Sequence, residues 1–313
     1  MEKVSIVILT YNSAENISGV LESIKVQSYQ NLEIIIVDNA SQDATVMIAK
    51  QICPTAIIKE NSENYWFAKG NNIGINLASG KYIFILNDDV VLHKECVAKL
   101  VERISVSPQI GAVTGKVYRL TDTKKTDIFD GVGLEKNIFR KYINIGENKK
   151  DLSQYNKDQQ IFGVSGALFL VKRDALESIK FENEYFDEQF VAYKEDIDLS
   201  YRLNTSGWKI WYEPMAMAWH KRSVQKSSFK NRSLQNRVIK AMSYRNHWWV
   251  LMKNEFTLKT ILDWPFILGY ESIKLIYVLI FELNTFMYCL KSEPNNIKRI
   301  LLKRKFIHDS KKI

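Results

Sequence analysis

Tyr82-Ile83-Phe84-Ile85-Leu86-Asn87-Asp88-Asp89 is the segment around which this chain is organised. Its short apolar run, rich in Ile and Phe, predicts a buried strand that ends in an amide and two carboxylates. Adjacent carboxylates repel each other, and burial raises the free energy of charging both. A divalent cation relieves that cost, and oxygen ligands suit Mg²⁺ or Mn²⁺. A solvated Asn-Asp turn is the alternative, and these residues alone favour neither interpretation.

Short apolar strands alternate with helices on both sides of this segment. Strands are predicted at 4–9, 32–37 and 57–58, and helices at 15–27, 43–52, 68–78 and 94–106. Such alternation is typical of a parallel α/β sheet, in which ligands bind at the carboxyl edge of the strands. Thr10-Tyr11-Asn12 and Asp38-Asn39 follow the first two strands, so we expect them beside Asn87-Asp88-Asp89.

The middle of the chain is less regular. Residues 111–160 contain several glycines and lysines, and we expect short strands and loops there rather than sheet core. Residues 160–171 predict one strand interrupted by small residues. Gly166 within it either lets a ligand approach the backbone or marks a simple bend.

An acidic helix start follows. Residues 193–203 predict a helix with Glu195 and Asp196 in its first turn, and strands are predicted at 209–212 and 215–219, ahead of His220. Acidic residues stabilise a helix N-terminus through the macrodipole, and spacing alone favours this structural role. His220, at a strand end, is a better candidate ligand than most single histidines.

Several function classes are disfavoured. No Gly-x-Gly-x-x-Gly follows the first strand, and no Gly-Lys-Ser/Thr loop occurs, which argues against dehydrogenase-type and P-loop nucleotide binding. The three cysteines match no metal spacing or disulfide framework, which favours a reducing cytoplasm. The N-terminal residues predict a strand rather than a signal peptide.

Charge divides the chain into an acidic front and a basic back. Residues 201–313 hold 21 Lys+Arg and 7 Asp+Glu, a net charge of +14, whereas residues 1–200 carry −5. The basic residues include Lys226, Lys230 and Arg232. We expect a catalytic domain over 1–225 and a basic, helical region over 226–313, whose charge suggests an anionic partner.

An apolar and aromatic region lies within the basic part, over 261–290. Charged residues interrupt it, so no run approaches the ~18–20 apolar residues that span a bilayer. An amphipathic helix in the membrane interface fits this composition, and so does a helical appendage that packs on the catalytic domain or forms a homodimer interface. Nucleic acid is not an expected partner, since no binding motif accompanies the charge.

Five motifs in the same order resemble glycosyltransferase family 2, which has the GT-A fold. They are residues 4–12 (VSIVILTYN), 35–41 (IIVDNAS), 64–74 (NYWFAKGNNIG), 86–89 (LNDD) and 195–208 (EDIDL…R…GW). The resemblance covers residues 3–222, and within the family it is nearest to bacterial rhamnosyltransferase-like enzymes that build surface polysaccharides. It implies a mostly parallel central sheet flanked by helices, followed by a C-terminal helical extension.

The resemblance also implies residue roles. Asp38 would accept a hydrogen bond from the ring N–H of uracil or thymine, and Asn87-Asp88-Asp89 matches the Asp-x-Asp metal motif except at Asn87. Asp89 and His220 would hold a divalent metal, Mn²⁺ or Mg²⁺. The implied nucleotide-sugar pocket comprises Thr10, Tyr11, Asn12, Asp38, Asn39, Lys69, Gly70, Asn72, Asn87, Asp88 and Gly166.

The hypothesis is therefore a metal-dependent, inverting glycosyltransferase. Asp196 would act as general base on the acceptor hydroxyl, and Glu195 would orient or assist it. The donor would be a UDP- or dTDP-sugar, with rhamnose as one option, and the acceptor a saccharide or lipid-linked saccharide at the cytoplasmic face of the membrane. The alternatives are a nucleotidyltransferase, disfavoured because no Gly-rich loop follows the first strand, and a non-catalytic membrane-associated scaffold.

Overall fold

The computed structural model describes residues 1–121, 124–222, 237–255, 257–291 and 296–309. The expected domain boundary at 225/226 and the basic residues Lys226, Lys230 and Arg232 lie outside these ranges.

Strands and helices alternate as predicted through the front of the chain. The strands are β1 (Val4–Thr10), β2 (Leu32–Asp38), β3 (Ile57–Glu60), β4 (Tyr82–Asn87), β5 (Val90–Leu92), β6 (Ile110–Leu120), β7 (Lys125–Gly131), β8 (Leu134–Lys136), β9 (Tyr142–Asn144), β10 (Gln159–Ile161), β11 (Leu168–Lys172) and β12 (Lys209–His220). The helices are α1 (Ile17–Lys25), α2 (Thr45–Ile52), α3 (Trp66–Leu77), α4 (Cys96–Ser105), α5 (Arg173–Ser178), α6 (Glu195–Thr205), α7 (Arg237–Asn254), α8 (Trp264–Phe281), α9 (Leu283–Lys291) and α10 (Asn296–Asp309).

Within the described residues, ten strands form one sheet in the order β10-β12-β6-β11-β4-β1-β2-β3, with β5 paired to β12 and β7 to β6. The strands from β4 to β3 are parallel, whereas β11 runs antiparallel to both β4 and β6. Alternate residues of β1 face opposite sides, so that Ile6 and Ile8 join one core and Val7 the other. The predicted α/β architecture with C-terminal helices is confirmed.

The prediction for residues 111–160 is wrong for 111–120, because these residues form β6 in the middle of the sheet, whereas β8, β9 and β10 are short strands separated by loops, as predicted. Glycines and a lysine conceal β6 in the sequence. A Cβ on Gly111 would lie 2.8 Å from the Trp208 side chain, and one on Gly115 would lie 2.1 Å from the Ala216 carbonyl oxygen. Close packing therefore demands glycine here, and the buried Lys116 pairs with Asp151 at 3.3 Å.

Two other strand predictions also need correction. The single strand expected over 160–171 is two strands, β10 and β11, on different neighbours, and Gly166 lies in the connection between them. Conversely, the strands expected at 209–212 and 215–219 form one strand, β12. Its pairing with β6 shifts register between Glu213 and Met217, so an irregularity replaces the expected break.

The apolar region at 261–290 is not one helix. A 3₁₀ turn (Leu258–Asp263) leads into α8, and α9 follows as a separate helix. Within the part of the chain that the structure describes, one helical stretch, Thr260–Phe281, has the length and apolar composition of a bilayer-crossing helix. It has 22 residues and a mean hydropathy of 1.4, and only 17% of its apolar segment is buried. Core helices of soluble proteins meet the same two criteria, so composition alone assigns no span.

Two lysines of the basic back region are buried and paired with carboxylates. Lys253 of α7 is buried and lies 2.5 Å from Asp187 and 2.8 Å from Asp198. Lys303 of α10, also buried, contacts Asp187 at 2.5 Å and Glu184 at 2.6 Å. Helices α7 and α10 therefore dock on the front of the chain, and the packing alternative accounts for these two cations.

Candidate functional site

The sheet brings the predicted motifs to one edge. Thr10 pairs with Asp38 across β1 and β2, and Leu9 pairs with Asn87 across β1 and β4. On the other side, β11 pairs with β4, and the Asn87 N–H donates to the Ala167 carbonyl at 2.9 Å. The carboxyl ends of parallel strands meet at one edge, which explains why residues far apart in the chain converge here.

Asp38 forms the centre of the nucleotide side. Its buried carboxylate accepts from the Thr10 hydroxyl at 2.8 Å and from the Ser41 N–H and hydroxyl at 2.8 and 2.5 Å. Next to it, the Asn12 side chain accepts from the Gln42 N–H, and Tyr11 is 50% exposed. These hydrogen bonds fix the positions of the Asp38 oxygens, and the Tyr11 ring beside them is exposed to solvent.

Other predicted pocket residues have structural partners. Asn39 is buried and binds the 61–66 loop through Asn61 and the Trp66 carbonyl. The Asn72 amide, also buried, bonds with the backbone of Tyr185 and Phe186. These two amides position the loops around the edge.

Lys69 and Gly70 lie on α3. The Lys69 ammonium sits 3.6 Å from the Tyr65 ring centroid. A Cβ on Gly70 would lie 2.3 Å from a Leu9 methyl group, so glycine here permits α3 to pack against β1.

The three polar residues after β4 have different surroundings. The Ser13 hydroxyl donates to a carboxylate oxygen of Asp88. Burial, opposed by the Ser13 bond and reinforced by the charge of Asp89, raises the pKa of Asp88 to about 6. Asp88 is thus tied to the loop after β1, whereas Asp89 faces the end of β12.

Asp89 and His220 are adjacent, with Asp89 Oδ1 3.1 Å from His220 Nε2. The other ring nitrogen, Nδ1, lies 2.8 Å from buried Asp130, which also contacts Arg222 at 2.6 Å. Burial lowers the pKa of His220, but the contacts with Asp130 and Asp89 outweigh it and raise the pKa to about 9. A carboxylate orienting a histidine through Nδ1 is a common support for metal-binding imidazoles.

The donor set fits a divalent metal that also binds a substrate. Among the described residues no group of three or more His, Cys, Asp or Glu side chains forms a metal cage. Asp89 and His220 supply one oxygen and one nitrogen, ligand types that Mn²⁺ accepts. Sites for Mg²⁺ and similar ions commonly use one or two protein ligands and take the others from substrate phosphates and water.

Glu195 and Asp196 open α6 beside the same edge. Asp196 Oδ2 accepts from the Gly166 N–H at 3.1 Å, which joins the helix start to the segment leading into β11. Burial raises the pKa of Asp196, although the Gly166 hydrogen bond opposes the shift. Burial and the charge of Asp196 raise the pKa of Glu195 well above its usual value, and its Oε2 has no hydrogen-bond partner among the described residues.

Two residues at the site were missed in the sequence. Asp130 lies within residues 111–160, where short strands and loops were expected, and it contacts His220 from 90 positions away, a pairing that no local pattern reveals. Ser13 appeared only as part of a polar loop, although it binds Asp88. A polar residue just past a strand end was the available signal for Ser13.

Comparisons with known proteins identify relatives of this chain and solved structures with a similar fold. The chain is 27% identical over 225 residues to the poly-β-1,6-N-acetyl-D-glucosamine synthase of Staphylococcus aureus (strain COL), covering 70% of this chain and 50% of the synthase. The chain thus spans about half the length of the curated relatives it matches.

Solved structures show the same fold. GalNAc-T7 with UDP, GalNAc and Mn²⁺ matches with a TM-score of 0.63 and 15% identity, covering 81% of this chain and 48% of that one. The mannosyltransferase PcManGT from Pyrobaculum calidifontis, with GDP-Man and Mn²⁺, has a TM-score of 0.55 and 14% identity over 100% of this chain and 88% of its own.

The sequence profile of glycosyl transferase family 2 matches residues 5–180, more than half of the chain. The match begins in β1, spans the strand ends at Asp38 and Asp89, and ends just after α5. The chain therefore belongs to glycosyl transferase family 2.

Proposed function

We propose that this protein transfers a sugar from a nucleotide diphosphate sugar to an acceptor hydroxyl, with inversion at the anomeric carbon. The observation that carries this proposal is the common edge that holds the Asp89–His220 pair and the Asp196 carboxylate. The Asp89–His220 pair suits the binding of a diphosphate and its cation, and the Asp196 carboxylate suits the role of proton acceptor. A nucleotidyltransferase lacks such support, and a scaffold would have no need of the buried Glu195 carboxylate, whose Oε2 has no hydrogen-bond partner among the described residues.

Asp196 is the proposed general base. Its Oδ2 is fixed by the Gly166 N–H, so the carboxylate has a defined direction before the substrate arrives. It takes the proton of the acceptor hydroxyl as that oxygen bonds to the anomeric carbon and the nucleotide diphosphate leaves. A single displacement of this kind inverts the anomeric centre. Glu195, buried and protonated more readily than a free glutamate, assists by keeping negative charge near Asp196 low.

Asp89 and His220 are the residues that would hold the divalent metal. When bound, such a metal supplies Lewis-acid stabilisation of the leaving diphosphate. Asp130 keeps His220 oriented, since it contacts the opposite ring nitrogen. Asp38 would accept from the N–H of a uracil or thymine ring, with Thr10 and Ser41 fixing its position.

The donor is proposed to be a UDP- or dTDP-sugar and the acceptor a saccharide or lipid-linked saccharide of a cell-surface polysaccharide. The name of the synthase relative suggests N-acetylglucosamine as a donor sugar beside rhamnose. Purified protein would be given each nucleotide sugar in turn with Mn²⁺, and released nucleotide and the anomeric configuration of the product would be measured. A product that retains the donor configuration, or no transfer from any donor, would refute this proposal.

Metal dependence is the next prediction. Excess chelator should abolish turnover, and Mn²⁺ or Mg²⁺ should restore it. Asp89→Ala should weaken UDP or dTDP binding measured by calorimetry by at least about tenfold, because a lost charge-assisted contact costs ~1.5–3 kcal/mol. The matching nucleoside, which lacks phosphates, serves as the control and should bind wild type and variant alike. Full activity in chelator would remove the metal role from Asp89 and His220.

We also propose that α8 contacts the cytoplasmic face of the membrane. Its charged residues turn inward, because buried Glu271 binds His247 of α7 at 2.8 Å and Lys274 at 2.9 Å. Several of its apolar side chains face outward, with Ile273, Ile276 and Ile280 exposed by 69%, 57% and 65%, whereas Ile267 and Val278 are buried. A contiguous exposed apolar face is typical of an interaction surface. Contact with a membrane would place the enzyme near lipid-linked acceptors. A homodimer interface is the alternative.

Liposome sedimentation tests this contact. The wild-type chain should co-sediment with anionic liposomes more than with neutral ones, since a basic residue near an anionic leaflet contributes about 1 kcal/mol. The double variant Ile273→Asp/Ile280→Asp should lose most of this binding. Met47→Asp/Val106→Asp is the matched control, because these exposed residues lie on α2 and just after α4. Wild type that stays in the supernatant and sediments as a dimer in the ultracentrifuge would favour the dimer interface instead.

A further inference from the structure

The loop that leads into Glu195 has a backbone conformation that L-residues rarely adopt. Val191, Tyr193 and Lys194 have φ angles of 64°, 70° and 73°. Val191 has ψ of −69°, and the Ala192 N–H donates to the Phe190 carbonyl at 2.7 Å, which defines a strained γ-turn. A β-branched residue with positive φ is a rare outlier. Such strain persists only where the surrounding structure holds it in place.

Asn246 of α7 provides that hold. It is fully buried, and its Nδ2 lies 2.8 Å from each of the carbonyl oxygens of Phe190, Ala192 and Tyr193, which share its two N–H donors. The remaining carbonyl, that of Val191, accepts from the Ala68 N–H of α3 at 3.1 Å. Every carbonyl from 190 to 193 is therefore bonded, three of them by one side chain.

The end of the loop sets the position of the carboxylates. The Lys194 carbonyl accepts the Asp198 N–H at 2.9 Å, which is an early hydrogen bond of α6. Glu195 and Asp196 follow Lys194 directly, so a shift of the loop moves both carboxylates relative to Gly166. A displacement of about 1 Å at a reacting group can lower a rate about 10²-fold.

We propose that Asn246 is a positioning residue for sugar transfer, holding the strained 190–194 loop so that Asp196 faces the acceptor hydroxyl. Asn246 lies in the C-terminal region, beyond the residues that the family profile matches. A helix outside the family profile would thus complete the catalytic site. This inference rests on the proposed function, because the positioned residue is the proposed base.

Asn246→Ala in the full-length chain is the test. We expect kcat for transfer to fall at least about tenfold, with KM for the donor changed by less than about twofold, since the Nδ2 of Asn246 bonds the 190–193 loop and not Asp38, Asp89 or His220. Asn204→Ala is the matched control. Asn204 lies at the other end of α6, and its amide also donates to two carbonyls, those of Phe162 and Ser200, at 2.8 and 2.7 Å. If Asn246→Ala does not fold, Asn246→Ser, which keeps one donor group, replaces it.

A second substitution separates positioning from general stability. Val191→Gly removes the steric cost of the γ-turn, because glycine adopts positive φ readily. Added to Asn246→Ala, it should recover a substantial part of kcat. The proposal is overturned if Asn246→Ala keeps the wild-type kcat, if Asn204→Ala lowers kcat as much, or if Val191→Gly gives no recovery.

Hydrogen–deuterium exchange gives a readout that needs no substrate. Asn246→Ala should raise amide exchange within residues 190–197 at least about tenfold, and Asn204→Ala should leave that segment unchanged. If wild-type protein transfers no sugar from any donor, the proposed function fails, and hydrogen–deuterium exchange alone then tests whether Asn246 holds the loop. A selective rise would then support the hold of Asn246 on the loop, and unchanged exchange would overturn it.

Discussion

Replacing Asp196 by asparagine is expected to abolish sugar transfer and leave nucleotide binding nearly intact. The amide keeps the shape of the side chain but cannot accept the hydroxyl proton, and general bases contribute roughly 10²–10⁴-fold to rates. Asp196 accepts from the Gly166 N–H through Oδ2 and from the Ile197 N–H through Oδ1, and the single amide oxygen of asparagine keeps one of these two bonds. Turnover and calorimetric nucleotide binding would be measured together, with the exposed Asp174→Asn on α5 as the control.

The pH profile gives an independent check on the same residue. Because burial raises the pKa of Asp196, the acid limb of the kcat profile should lie above the value of a free aspartate, about 3.9. Wild-type turnover in Asp196→Asn would transfer the base role to Glu195. Asp198 is not an alternative, because its fully buried carboxylate already binds Lys253, Arg202 and Asn254.

Lys253→Met should destabilise the whole protein. The substitution keeps an apolar stem but removes the cation between Asp187 and Asp198, and breaking a buried pair costs about 3–5 kcal/mol. Chemical denaturation would measure the free energy of unfolding. Lys50→Met is the matched control, since Lys50 pairs with Glu60 at 2.8 Å but both side chains are more than half exposed. Such surface pairs contribute about 0–1 kcal/mol.

The difference between wild type and Lys253→Met should depend on pH. Burial raises the pKa of Asp187, but Lys253 and Lys303 outweigh it and hold the pKa well below the usual range. A carboxyl group with a depressed folded-state pKa stabilises the protein above its unfolded pKa, about 3.9. This contribution is lost as pH falls below that value, so the two proteins should converge in stability there. Equal stability at neutral pH would show that Lys253 is dispensable.

The strands that end in polar residues were predictable because local pattern defines them. A buried run followed by Asp38 or Asp89 needs no distant contact to be recognised, and parallel pairing then brings the ends together. β6 was not predictable in this way. Gly111 and Gly115 are there because Trp208 and Ala216 pack close to them, and Lys116 is buried because Asp151 neutralises it, all contacts distant in sequence.

The residues of the candidate site fall into the same two groups, those recognisable from local sequence and those set by distant contacts. Asp89, Asp196 and His220 were found from motifs, whereas their supports, Asp130 and Asn246, come from segments with no motif. Net charge suggested an anionic partner for the basic back region, but Lys253 and Lys303 pair with carboxylates of the front part. Net charge counts residues, but it does not show which cations are neutralised by carboxylates from another part of the chain.

The ion pairs between front and back also limit how chimeric enzymes can be built from this family. Glu184, Asp187 and Asp198 belong to the front, and their partners Lys253 and Lys303 belong to the back. Joining this front to the C-terminal helices of a relative would leave buried carboxylates uncompensated unless equivalent cations came with the new helices. The two parts therefore have to be exchanged as an electrostatically matched set.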